Sequence, residues 1–314
     1  MASRSFDLKA SLLLGATVLC WASIPVLIRD LARFIDAWTA NGLRYPMAAL
    51  LYLPILLAAR RGGRLDPGLF RRALVPAAVA FAGQILWALA PYYLEAGPIA
   101  FLVQTCVAWG LVGSMLLFRE ERGLLRSSAF HAGLALAAGG AAALAIGRGA
   151  LDTAATRTGV LIILACAVFF GLYSPCIRRF MRHDPPVLAF GVVAQYVSAG
   201  TLVLMFWLGD WRRAGEMGAR AWGVTAASAV LGVALAHVLL YAAIQRIGTA
   251  IPQGVSLVTP FVTLVLAALA LGETLSPAQI GSGAAMVAGG GLLLLSQQRV
   301  VPALEAPVRA AGPP

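Results

Sequence analysis

Apolar residues in this chain run on in long blocks instead of alternating with polar ones. Ten stretches of about 20 residues are nearly free of charge, at approximately 8–28, 37–59, 73–94, 97–118, 129–147, 158–178, 186–208, 222–244, 248–271 and 277–296. At a rise of about 1.5 Å per residue, each is long enough as a helix to cross a hydrocarbon core of ~30 Å. The pattern predicts an all-α polytopic membrane protein with ten transmembrane helices. The first stretch carries Trp21 and Pro25 where a signal peptide would need small residues for cleavage, so it reads as a retained helix. Residues 298–314, rich in Pro and Ala and without periodicity, are expected to form a disordered tail.

Composition narrows the class. The chain has 314 residues, 60% of them hydrophobic and 12% charged, with a mean hydropathy of +0.84. A soluble domain carries roughly 25% charged residues, so a water-soluble globule is excluded. A net charge of +11 would suggest nucleic acid in a soluble protein. Here the basic residues lie between the apolar runs, which puts them at membrane surfaces and gives no reason to expect a nucleic-acid partner. Sixteen Lys and Arg fall on the N-terminus and alternate loops, seven on the opposite set, and Arg44 lies within a run. Cytoplasmic loops retain positive charge, so both termini are expected in the cytoplasm of a bacterial-type inner membrane. Each of the four cysteines sits in an apolar stretch, with no Cys-x-x-Cys pair, so neither a disulfide framework nor a metal site is expected, and nothing calls for a cofactor.

Shifting the chain by about 150 residues aligns Pro25 and Arg29 with Pro175 and Arg179, and Gly139-Gly140 with Gly289-Gly290. Gly97 meets Gly248, and Glu121 meets Glu273, at nearly the same offset. The expected layout is a cytoplasmic N-terminus (1–7), a first five-helix repeat (8–147), an extracytoplasmic linker (148–157), a second repeat (158–297) and the tail. Five is odd, so the second copy must enter the membrane from the other side. Such inverted repeats are how many secondary transporters alternate access around a site at mid-depth.

Three segments carry a family likeness: LCWASIP at 19–25, NGLRY at 41–45, and GETLSPAQIGSGAAMVAGGG at 272–291. Through them the chain, over roughly residues 10–297, resembles the EamA-type members of the drug/metabolite transporter superfamily, and within it the YddG-type amino-acid exporters of bacterial inner membranes. The resemblance implies two five-helix repeats and export of a small solute. One departure is that Ala108-Trp109 stands in the fourth span near the place of Thr259-Pro260 in the ninth, which argues against symmetric use of those two helices.

Polar side chains within a span are costly, so they are the functional candidates. Asn41, Arg44 and Tyr45 share one face of the second span; Arg44 either snorkels to the surface or attracts a substrate carboxylate. Gln84, Trp87 and Pro91 form a stripe in the third span, and Gln104, Thr105 and Trp109 another in the fourth. The second half offers Phe169 and Tyr173, Gln195 and Ser198, and His237 with Tyr241. The ninth span carries Pro252, Ser256, Thr259, Pro260 and Thr263. From these, the candidate substrate-binding set is Arg44, Gln84, Trp87, Gln104, Trp109, Tyr173, His237, Tyr241 and Ser256. Pro25, Pro91, Pro175, Pro252 and Pro260 are candidate kinks. The alternative for the amides and histidine is interhelical hydrogen bonding, and for the Ser and Thr hydroxyls, bonding back to their own helices. The stripes Gly281, Ala285, Gly289 and Gly133, Ala137, Ala141 read as packing surfaces, and Ser276-Pro277 as a helix start.

None of the 13 acidic residues falls mid-span. Proton antiport usually needs a buried carboxylate, so facilitated diffusion of an aromatic or neutral amino acid, or a similar amphiphilic metabolite, is favoured. A proton-coupled drug or metabolite antiporter is the alternative, with His237 as the intramembrane group suited to protons. An integral-membrane enzyme would need a nucleophile, carboxylate pair or metal motif, and none is present. A channel would show charged rings or a filter motif, and a scaffold would not need so many polar groups at mid-span.

Overall fold

The computed structural model describes residues 8–118, 122, 126–147, 154–247, 252, 256, 259–271 and 276–298. Among them are twelve α-helices and no strand. These are α1 (Leu8–Leu31), α2 (Ala37–Arg61), α3 (Gly68–Leu89), α4 (Ala96–Leu102), α5 (Cys106–Leu117) and α6 (Ser128–Gly147), then α7 (Ala154–Met181), α8 (Pro186–Leu208), α9 (Ala219–Ser228), α10 (Ala236–Ile247), α11 (Thr259–Leu271) and α12 (Pro277–Gln298). A 3-10 turn at Val103–Thr105 joins α4 to α5, and a π-helical turn at Ala229–Leu235 joins α9 to α10. Seven stretches of described residues are long and apolar enough to cross a membrane: Leu12–Leu31, Ala37–Arg61, Gly68–Tyr92, Pro98–Leu117, Thr156–Met181, Pro186–Leu208 and Ala219–Arg246. The expected N-terminal segment, residues 148–153 of the expected linker, the tail beyond Gln298, and Glu121, Gly248 and Glu273 of the repeat lie outside the described residues.

Boundaries differ from expectation where charge meets amphipathic turns. The third span was expected from residue 73, but α3 starts at Gly68, because Leu69 turns inward and is buried while Arg71 and Arg72 face out. Four residues of the expected linker, 154–157, are helical. Ends are set by local chemistry. Asp36 caps α2, its Oδ1 accepting from the N–H groups of Trp38 (2.9 Å) and Thr39 (3.0 Å). At the other end of α2, Gly63 adopts φ +66°, the left-handed conformation that glycine takes without strain. There the Gly63 N–H donates to Arg60 O and the Arg64 N–H to Ala59 O, closing the last turn. At the start of α12, Ser276 and Gln279 cap each other reciprocally, with Pro277 in the first turn.

Between helices surrounded by lipid, attraction comes from close packing and hydrogen bonds. α1 packs against α9, α10 and α11; α2 against α8; α3 against α7 and α8; α5 against α7; and α6 against α12. Small residues allow the closest approaches. A Cβ at Gly171 would stand 2.4 Å from the Cys106 carbonyl, and one at Gly42 would stand 2.3 Å from Met205 Cβ. The α6–α12 contact runs through Gly140 against Ser282 and Met286, whereas Gly281, expected in that stripe, faces open space. Leu19, Leu50, Leu116, Leu161, Trp207 and Leu269 are exposed on the outside of the bundle, where lipid tails would meet them.

Ion pairs tie the bundle at both ends. Asp30, in the last turn of α1, accepts from Arg220 of α9 through both oxygens at 3.1 Å. At the opposite end Asp184, after α7, accepts from Arg72 of α3, and its carbonyl accepts from Gln245 of α10 at 2.6 Å. Arg29 donates to the Pro91 carbonyl and the Tyr92 hydroxyl donates to the Ile35 carbonyl, joining the ends of α1 and α3.

Candidate functional site

A cavity of about 140 Å³ opens inside the bundle. α1 contributes Trp21, Ile24 and Pro25, which share a face at i, i+3 and i+4. Pro25 has no N–H, so the Trp21 carbonyl loses its usual partner in the helix. At the next residue, Ala22 O accepts from the Thr263 hydroxyl of α11 at 3.0 Å.

α2 contributes Arg44, seven residues or roughly 10 Å along the helix. It does not snorkel: it is 2% exposed, and its guanidinium turns inward. Nε donates to Ser228 Oγ at 2.9 Å and Nη1 to Asn41 Oδ1 at 3.2 Å. Asn41 Nδ2 in turn donates to the Gln84 carbonyl at 2.7 Å, and Ser228 donates to Thr225 O at 2.9 Å. The network holds the guanidinium between α2, α3 and α9. No described carboxylate pairs with it.

α3 supplies Gln84 and Trp87, and the 3-10 turn before α5 supplies Gln104. Both glutamines are buried, and neither side-chain amide bonds to another described residue, which leaves them to the cavity. Trp87 leans on Phe170 of α7, ring centroids 5.8 Å apart. α7 gives Phe170, Tyr173 and Ser174, again at i, i+3 and i+4.

The π-helical turn places Gly232 and Val233 on the wall and His237 just after it. Its wider turn is visible where the Ala236 N–H bonds back five residues to Leu231 O. Neighbouring carbonyls are met by side chains: His237 Nδ1 donates to Val233 O at 3.0 Å, and the Tyr52 hydroxyl donates to Ala234 O at 2.7 Å. A carbonyl only accepts, so the Nδ1 proton is fixed and the neutral ring keeps Nε2 as its acceptor. The ring stacks on Phe190 at 4.7 Å, with Trp21 and Tyr173 edge-on. Pro252, Ser256 and Thr259 close the wall, and the buried Thr259 hydroxyl has no partner.

Of the sequence-derived set, Arg44, Gln84, Trp87, Gln104, Tyr173, His237 and Ser256 meet at this cavity. Trp109 does not: it is 43% exposed on the outside of the bundle, with its Cβ against Gly171. Tyr241 lies one layer behind the wall, its hydroxyl bonded to that of Tyr173. Pro25 and Pro252 line the cavity; Pro175 is buried inside α7, Pro91 sits in the 3-10 turn after α3, and Pro260 is the second residue of α11 instead of a mid-helix kink. The hydroxyl of Thr105 bonds to its own helix, and Gln195 donates to Ala49 O on α2. The sequence reading missed Trp21, Phe170, Ser174 and the π turn. The first three were accessible from spacing, since Trp21 shares a face with Pro25, and Tyr173 pairs with Phe170 as readily as with Phe169.

The EamA-like transporter family matches residues 8–144 and again 157–296, so the chain belongs to that family, whose members are membrane transporters. No curated protein matches the chain in sequence. A solved structure described only as "Crystal structure of protein" superposes with a TM-score of 0.65 at 16% identity, covering 92% of this chain and 98% of the other, which speaks to the fold alone.

Proposed function

We propose that the protein is an inner-membrane secondary transporter that exports aromatic or other neutral amino acids, or similar small amphiphilic metabolites, by alternating access and facilitated diffusion. The observation that carries this is the cavity: a held guanidinium and two amides with no described partner face four aromatic rings across a space sized for a small solute. Drug-sized ligands occupy roughly 300–1,000 Å³, so about 140 Å³ favours a metabolite over a bulky drug. Aromatic walls with a few convergent polar groups suit a cargo with an apolar body and a carboxylate.

Alternating access is supported by the pairing of the helices. Taking α4–α5 and α9–α10 each as one rod, exchange of the halves turns the α3–α7 contact into α1–α9/α10, and α5–α7 into α1–α11. The same exchange leaves α2–α8 and α6–α12 unchanged. α1 finishes where Asp30 meets Arg220, whereas its counterpart α7 finishes at the opposite end, where Asp184 meets Arg72. Two family matches within one chain agree with an inverted duplication. Counterflow in proteoliposomes tests the function. Labelled phenylalanine is expected to accumulate transiently against an unlabelled internal pool, saturably and without an imposed pH gradient. Flux that is absent for every amino acid, or strictly dependent on a pH gradient, overturns the reading.

A further inference from the structure

We infer that the preferred cargo is a net anion, an aromatic monocarboxylate lacking a compensating ammonium, and that its exit is electrogenic. This rests on the transporter reading and narrows its substrate class. Among the described side chains on the cavity wall, Arg44 alone is charged; the other polar groups there are amides, hydroxyls and the His237 ring. The seven described acidic residues, Asp30, Asp36, Asp66, Glu95, Asp184, Asp210 and Glu216, all lie at helix ends or between helices. A guanidinium held out of water without a counterion is costly, and a bound carboxylate removes that cost. The fork is already oriented by Ser228 and Asn41, and Nη2 lies beside Gly232, where even an added Cβ would come within 3.6 Å of it. Glycine at 232 admits Ile24 of α1, whose Cδ1 would stand 2.4 Å from an added Cβ, and so lets the turn approach α1 beside the guanidinium.

Three cargo types with the same aryl body fare differently here. A monocarboxylate neutralises Arg44 and lays its ring among Trp21, Trp87, Phe170 and Tyr173. A zwitterion does the same, but its ammonium must shed water against neutral acceptors only. An amine is repelled by Arg44. The charge also sets the direction. One negative charge leaving a cell that is negative inside is favoured about fifty-fold per 100 mV, with no proton required. This offers a driving force to a protein whose described spans hold no carboxylate at mid-depth for proton exchange.

The test uses purified full-length protein in detergent, titrated calorimetrically with 3-phenylpropanoate, phenylalanine and phenethylamine. 3-Phenylpropanoate is expected to bind at least about tenfold tighter than phenylalanine, and phenethylamine not at all. On a solid-supported membrane, 3-phenylpropanoate should give a transport current and phenylalanine none; passive entry of the neutral acid carries no current. Arg44→Gln should lose both signals and Arg44→Lys should retain part of the current. Should Arg44→Gln fail to fold, the wild-type rank order and current still decide. Phenylalanine binding as tightly as 3-phenylpropanoate, or 3-phenylpropanoate flux without current, overturns this inference and leaves the transporter reading standing. If none of the three binds and no amino acid is moved in counterflow, the transporter reading itself falls.

Discussion

Arg44 is retained at some cost to stability. Its two partners manage without it: Ser228 still donates to Thr225 O, and Asn41 to the Gln84 carbonyl. Replacing a buried, uncompensated charge by an apolar chain of similar length is commonly neutral or stabilising by about 1–4 kcal/mol. Arg44→Met is therefore expected to abolish transport while leaving the melting temperature in detergent unchanged or raised. A melting temperature lowered by more than a few degrees would mean that the guanidinium holds the fold together. Asp36 is the opposite case, a charge that works for the fold. Burial alone raises its carboxyl, but hydrogen bonds from the Thr39 hydroxyl and from the N–H groups of Thr39, Asp210 and Trp38 outweigh that and hold it below the usual carboxylate range. A lowered folded value means the contribution is fully present above the unfolded value of about 3.9 and is lost as pH falls through the lowered one. Asp36→Ala is expected to cost about 1 kcal/mol near neutral pH, with the gap to wild type closing as pH falls below the usual carboxylate range. Thermal unfolding across that range checks it, and a gap that stays constant sinks the assignment.

Among the elements, closeness of approach sets which positions tolerate a side chain. Gly171 sits on α7 with the Cys106 carbonyl 2.4 Å from where its Cβ would be, so Gly171→Ala must part α5 from α7. A cost of about 1–3 kcal/mol is expected. Gly281 has open space in the same test, so Gly281→Ala should be neutral, or stabilising by up to about 1 kcal/mol. Denaturation of the two variants side by side measures the contrast. This scale also shows what the sequence made legible. Helices α2 and α8 were readable almost to the residue, because Asp36, Pro186 and Gly62 punctuate them and their apolar runs have sharp edges. The cavity stripe on α3 was readable because Gln84 and Trp87 stand at i and i+3 in an otherwise apolar run. Trp109 misled because an indole near mid-span meets lipid as comfortably as cargo, and spacing alone does not say which way a face points. The π turn left no trace, since Ala229–Leu235 reads as seven ordinary apolar residues.

For the whole molecule, the decisive property is orientation. Asp36 at the start of α2 accepts from the Asp210 N–H just after α8, so the 209–218 loop lies at the far end of a 25-residue helix from the α2–α3 loop. In the orientation proposed from the distribution of Arg and Lys, the α2–α3 loop is cytoplasmic. A membrane-impermeant maleimide on intact cells is expected to label Gly215→Cys, and to label Arg64→Cys only after permeabilisation; both positions are exposed. Labelling of both from one side would break the proposed topology, and with it the inverted duplication. The family and the all-helical fold were legible from hydropathy and the three likeness segments. The order in which rods pair was not, because apolar surfaces of similar composition can mate in many ways and small residues choose among them by shape.

The widened turn between Ser228 and His237 gives chain length a job. Ser228 must reach back to Arg44 while His237 faces the aromatic cup, and the two are in phase only because one surplus residue is absorbed between them. Excising Val230, an exposed residue in that stretch, removes the surplus residue, so the backbone can relax to 3.6 residues per turn with Ser228 and His237 still close to in phase. The shortened protein should still insert, fold and carry its cargo, whereas one residue removed from a regular α-helical stretch of the same span would turn everything downstream by about 100° and abolish transport. In this segment a missing codon is a smaller injury than it would be elsewhere along the rod.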